Sequence, residues 1–211
     1  SYMVRGNPYS SGEKKEDSEG TYSYFGKVLK SVNSLGDSDV VKSDGTSKEK
    51  DVNWEAASGK GVKFIGDGAF GQFATVPADK LIKGGSKDFP GGVGVKVGEI
   101  GEDEVRAIRE AGKLGVGPQL IAAKVSKINK EHSDYPEGVI AMSKVPGTRL
   151  KDLPRGIEGG TSGKAVMQAV SKLNLAGISH NDLHDGNIFV DSAGKVHLVD
   201  FGMARVSPKH A

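Results

Sequence analysis

There is no cysteine among the 211 residues. That excludes a disulfide framework and any thiolate metal site, and leaves the redox compartment open. No run approaches the roughly 18 apolar residues of a membrane-spanning helix. The first residues also lack the apolar core of a Sec-type signal peptide. Neither sign of charge dominates, since 29 Lys and Arg against 27 Asp and Glu leave a net charge of +2. So small an excess gives no electrostatic footprint for nucleic acid or an anionic membrane, and neither partner is expected. No internal repeat is present. The chain begins at Ser1 rather than Met, which suggests trimming or processing. Glycine is what the chain has in quantity, 31 residues, mostly in clusters that punctuate other patterns. A chain of this length can bury about 70% of its unfolded surface, enough for one generous domain or one and a half.

Residues 1–60 hold 11 serines, 9 basic and 10 acidic residues and few apolar ones. They read as a polar, partly disordered leader. One short helix is expected in "YSYFGKVLKSVNSL" (22–35), where Tyr24, Val28, Leu29 and Val32 recur at helical spacing. From Gly61 the texture changes. "GVKFIGDGAFGQFATV" reads as strand, glycine turn and strand, closed by Pro77. "GVGVKVG" is a further valine-rich strand. "EDEVRAIREAGKLG" is a helix with acidic residues at its start, a stripe of Val105, Ile108 and Ala111, and Gly115 as its stop. "GVIAMSKV" is a strand ended by Pro146-Gly147. After a Gly-rich connector (151–163), Thr161 or Ser162 caps a helix that turns Val166, Ala169, Val170 and Leu173 inward and stops at Gly177. "NIFV", a turn at 191–194 and "KVHLVDF" then form a hairpin. Strands with one helix among them, followed by a small helical part, predict an α+β fold in two lobes, 61–145 and 146–211.

The chemistry concentrates in "SHNDLHDGNIFVDSAGKVHLVDFGMAR" (179–205). Asp182 lies five residues before Asn187, and Asp200 lies thirteen further on, followed by Phe201 and Gly202. One aspartate alone would suit a surface hairpin with turn-forming residues; the whole string does not. It has the spacing of a phosphoryl-transfer catalytic loop, H-x-D-x-x-x-x-N, with its D-F-G. Such chemistry needs a positioned acceptor hydroxyl and neutralised phosphate charge. Asp182 would orient the hydroxyl proton, while Asn187 and Asp200 supply hard oxygen ligands suited to Mg²⁺. Upstream, Gly66, Gly68 and Gly71 fit G-x-G-x-x-G, weak by itself because a hairpin tip is also glycine-rich. Here the run continues as strand, which suits a phosphate-covering hairpin and not a dinucleotide fold. For the phosphate-binding lysine, Lys96 in "VGVKV" competes with Lys83 in "KLIK". Glu104 is the candidate ion-pair partner, ahead of Glu102, with Glu110 read as a solvated helix charge. In "IAMSKVPG", Met142 would stand beside the base, and backbone groups of Ser143 to Val145 would bond its edge; alone, Met142 reads as ordinary core. His180 reads as structural, holding the catalytic loop against the core.

In this order the motifs make residues 61–205 resemble the protein-kinase superfamily. The resemblance implies ATP and Mg²⁺ as cofactors and a minimal kinase-like fold. Two positions depart from it. Asn181 replaces the arginine that reads a phosphorylated activation segment, and His184 replaces the usual lysine, closer to aminoglycoside and choline kinases. Eleven residues follow Asp200, which suggests a strongly truncated C-terminal lobe without an activation segment. That ending and the serine-rich leader resemble the HopBF family of bacterial type III effector kinases. This resemblance implies a monomeric Ser/Thr kinase, secreted into a host cytosol, that phosphorylates a folded host protein such as the ninety-kilodalton heat-shock chaperone. A pseudokinase interaction module and a small-molecule kinase are the competing readings.

Overall fold

The computed structural model describes residues 23–36, 40–42, 52–68, 71–126, 137–154 and 161–208. The leader before Ser23, the glycine-run tip at residues 69 and 70, and residues 155–160 of the connector lie outside them. The chain has an α+β fold and divides into two compact units, one of residues 1–102 and 121–142, the other of residues 103–120 and 143–211.

The first unit is built on a six-stranded sheet. Its strands are β1 (Val40–Lys42), β2 (Lys63–Gly68), β3 (Gly71–Val76), β4 (Val93–Glu99), β5 (Leu120–Ser126) and β6 (Glu137–Ser143), in the order β1-β5-β6-β4-β3-β2. Strand β4 shows why one face is closed. Its alternating Val93, Val95 and Val97 are fully buried and stand opposite Val76, Ala74 and Gln72 of β3. Successive strand residues point to opposite faces, so Lys96 and Gly94 share the other face with Phe73 and Thr75. Helix α1 (Ser23–Asn33) lays Phe25, Val28, Leu29 and Val32 into the same core as the three valines. This i, i+3, i+4, i+7 stripe stabilises the unit by roughly 1.5–3 kcal/mol for each side chain buried.

That packing corrects the reading of residues 1–60 as a leader outside the domain. The expected helix is there, but its apolar face is core, as are Trp54 and Ala57 of a 3-10 turn (Trp54–Ser58). Strand β1 pairs with β5, Val41 opposite Val125. Polar composition hid this because a few apolar residues at helical spacing suffice to dock a helix. The lobe boundary moves too. Helix α4 (Glu102–Lys113) belongs from Asp103 onward to the second unit, where the Val206 N–H donates to Asp103 Oδ2 at 3.4 Å. The break falls at Met142–Ser143 rather than after Val145. Two short helices, α2 (Ala78–Leu81) and α3 (Gly85–Asp88), fill the β3–β4 connection.

The second unit has two small sheets and α5 (Thr161–Leu175), which packs against β8 (Ile178–Ser179) and β10 (Val196–Leu198). Of its expected inward residues, Ala169 and Leu173 are buried and Val166 and Val170 half-buried. Gly177, at φ 80°, ends the helix in the left-handed region that glycine enters without steric cost. One sheet runs β10-β9-β7, with β9 (Ile188–Val190) and β7 (Thr148–Arg149); the other pairs β8 with β11 (Arg205–Val206).

Candidate active site

The stretch from Ile178 to Val206 forms the cross-braced core of the site. Strand β8 delivers His180, which is buried between the chain segments it joins. The Asp182 N–H donates to His180 Nδ1 at 3.2 Å, which makes that nitrogen an acceptor. The ring proton therefore sits on Nε2, which donates to the Val199 carbonyl at 2.8 Å. Burial is the largest influence on this imidazole and holds its pKa below the ordinary value, so the neutral ring is the native form. Its face meets Phe201, with ring centroids 4.9 Å apart. The structural role expected for His180 is the one it has.

Asn187 is 7% exposed and ties Asp182 to the hairpin. Its Nδ2 donates to the Asp182 backbone carbonyl at 2.9 Å and approaches Asp182 Oδ2 at 3.4 Å. Its own carbonyl accepts from the Val199 N–H at 3.0 Å, one residue before Asp200. Backbone pairing thus places Asn187 beside the start of the Asp200 turn, as the hairpin spacing suggested. Because Nδ2 is spent on Asp182, the Oδ1 of Asn187 is the atom left to act as a ligand. Asp200 is exposed, and its Oδ1 accepts from the Gly202 N–H at 3.3 Å. Among the described residues Asn181 (φ 68°) and Asp200 (φ 59°) are the non-glycine residues in the left-handed region. Such a conformation costs roughly 1–2 kcal/mol and persists only where neighbours enforce it.

The hairpin between Asn187 and Asp200 is closed by Asp191. Its Oδ1 accepts from the Ala193 and Lys195 amides, each at 2.9 Å, and its Oδ2 lies 2.9 Å from His197 Nε2. The His197 bond, then the Lys195 amide, hold the Asp191 carboxyl below its usual range.

The remaining candidates are distributed over the two units. Gly66, Gly68 and Gly71 lie on the β2–β3 hairpin of the first unit, with Gly68 paired to Gly71. A Cβ on Gly71 would overlap the Val97 carbonyl oxygen, so close strand approach requires this glycine. Lys96 is half-buried on β4, opposite Phe73. Its rival Lys83 is exposed in the turn joining α2 to α3; the "KLIK" segment is no strand. Met142 is buried at the end of the first unit. Glu104 is buried on α4 in the second unit. Ser143 N–H donates to the Gln119 carbonyl at 2.9 Å while Ser143 Oγ accepts from the Gln119 amide at 2.8 Å. Its amide is therefore committed within the fold and is not a donor for a base. Sequence reasoning overlooked Phe73. Its ring covers Gly94 so closely that a Cβ there would overlap it. The available signal was a glycine two residues before Lys96 inside a valine strand.

The oxygen donors fit a hard divalent cation: one carboxylate and one amide oxygen, with no soft ligand. Among the described residues no cluster of three or more His, Asp or Glu side chains could hold a metal unaided. A two-ligand site of this kind suits Mg²⁺ completed by phosphate oxygens and water. No helix of the described residues is long and apolar enough to cross a membrane.

The fold and this constellation define a protein-kinase-like chain. Residues 119–211 match the ABC1 atypical kinase-like domain. Two uncharacterized proteins of Mycobacterium tuberculosis, from two strains, are each 34% identical over 90 residues, 39% of this chain. The chain spans 18% of the length of these curated relatives. The match is thus to a different family of the superfamily from the one the early ending suggested, and the end at Ala211 carries no argument about the acceptor.

Proposed function

We propose that the chain is an ATP-dependent phosphotransferase acting on a hydroxyl group. The observation that carries this reading is the union of Asp182, Asn187 and the Asp200 turn through the Asn187 side chain and backbone. Asp182 orients the acceptor hydroxyl and takes its proton at the carboxylate. Asn187 Oδ1 and the Asp200 carboxylate are the residues that would hold Mg²⁺, which when bound neutralises charge on the phosphates. Lys96 pairs with the phosphates, and the amides around Gly66, Gly68 and Gly71 approach them. Met142 and the Val145 backbone contact the base, and Glu104, buried on α4, is the carboxylate kept as the ion-pair candidate. A kinase-like domain also suits a pseudokinase, but the set Asp182, Asn187 and Asp200 is complete.

The acceptor we propose is a Ser or Thr of a folded protein. Asn181, Leu183, His184 and Asp185 are exposed around Asp182, so the loop is open to a large substrate. The test is incubation of the purified chain with Mg²⁺ and γ-labelled ATP in a eukaryotic lysate and, in parallel, with an aminoglycoside and choline. Label on one protein, absent with Asp182→Ala, is the expected result. Label on the small molecules alone would move the acceptor to that class. No transfer to any acceptor, with tight nucleotide binding, would favour the pseudokinase.

A further inference from the structure

Asn181 is a residue that the phosphotransferase reading leaves without a task, although its geometry is costly. Its backbone is left-handed at φ 68°. Its side chain uses both ends. Oδ1 accepts from Ser179 Oγ at 2.9 Å, and Nδ2 donates to the Met203 carbonyl at 3.1 Å. Met203 lies three residues beyond Asp200 in the segment that returns to β11, where Arg205 pairs with Ser179 and Val206 with Ile178. On the other side of Asp200, His180 holds the Val199 carbonyl. Two consecutive side chains therefore grip the chain before and after one carboxylate, which is itself in the left-handed conformation.

We propose that Asn181 is a positioning residue for Asp200, and that its neutral amide fixes the segment after Asp200 without any phosphate. The inference rests on the assignment of Asp200 as a metal ligand. With the Met203 carbonyl held, the 200–203 turn keeps the strained φ of Asp200 and aims its carboxylate before the metal arrives. The bond joins two uncharged groups, so it needs neither modification nor low ionic strength. The hydrogen bond of the Ser207 N–H to the Gly177 carbonyl, 2.8 Å, anchors the far end of the same segment.

The experiment uses Mn²⁺ as a probe, titrated by electron paramagnetic resonance into the full chain with a non-hydrolysable ATP analogue. Asn181→Gly keeps the left-handed backbone at no steric cost and deletes the amide; Asn181→Asp keeps the shape and replaces the donor by an acceptor facing the Met203 carbonyl. Both variants should bind Mn²⁺ about tenfold more weakly, with unchanged melting temperature and unchanged metal-free nucleotide affinity. Excess Mn²⁺ should restore occupancy. Phosphatase treatment of the parent should alter nothing. Unchanged Mn²⁺ affinity in folded Asn181→Gly overturns the positioning role, as does a tenfold loss in the phosphatase-treated parent. A parent that binds no Mn²⁺ with nucleotide overturns the phosphotransferase reading itself, a result distinguishable from the other two.

Discussion

The β2–β3 hairpin of the first unit and the β9–β10 hairpin of the second each carry candidate residues, and they are built in opposite ways. The first is a glycine hairpin whose candidate contacts are backbone: Gly66, Gly68 and Gly71 lie in paired strands, and that pairing sets their register. The second offers side chains and braces them. Asp191 closes its turn with bonds to two amides and to His197, and Asn187 is bonded to Asp182 and Val199. Backbone groups on a strand are aimed by the sheet. A carboxylate on a turn must be aimed by its neighbours.

This contrast can be broken from either side. The largest effect should come from the braced side. Asp200→Ala removes the carboxylate proposed as the metal ligand, and phosphoryl transfer should fall at least about a thousandfold together with Mg²⁺-dependent nucleotide binding. Asp182→Ala should lose a similar rate but keep the binding, as calorimetry with MgATP will show. Next comes the charge on the sheet. Lys96→Met should reduce transfer roughly a hundredfold with the fold intact, whereas Lys83→Met, in an exposed turn, should leave the rate near that of the parent; the reverse ranking would reassign the role. Gly71→Ala attacks the backbone hairpin directly. Its methyl meets the Val97 carbonyl, so the first unit should lose about 1–3 kcal/mol in urea unfolding.

The smallest expected effect is a pH dependence. His180 has a pKa held below its ordinary 6.5 by burial. Below 6.5 the unfolded chain binds a proton that the folded one refuses until pH reaches the lower folded value. Stability therefore rises with pH across that window and is lost as pH falls through it. Chemical unfolding at pH 7.5 and 5.5 should show a loss for the parent that is smaller in His180→Gln, which cannot titrate.

Much of the second unit was legible because its chemistry is local. Spacing alone put Asp182, Asn187 and Asp200 on a loop and hairpin, Gly177 marked a helix end, and residues 191–194 marked a turn. The first unit was less so. Helix α1 was found, yet its docking depends on valines of β4 some sixty residues away, a contact that no local pattern encodes. Strand β5, "LIAAKVS", was overlooked because burial on both sides removes the alternation that betrays a strand. Strands β7, β8 and β11, of two residues each, carry too little pattern to read. Ser143 looked available to a base until Gln119 was seen to hold its amide. Lys83 looked like a strand residue because it follows the apolar pair Leu81 and Ile82, whereas its turn follows from Gly84 at φ 72°.

Phe73 over Gly94 sets a limit on how this protein can drift. A side chain at 94 cannot be added while the ring is there. Removing the ring alone uncovers the sheet face beside Lys96 and leaves a gap over a residue with no side chain to fill it. Each single step is thus a descent, and the pair can change together more easily than apart. Relatives that place an alanine or valine at 94 should carry a smaller residue at 73. The two positions then behave as one inherited character of the sheet, although twenty-one residues of sequence separate them.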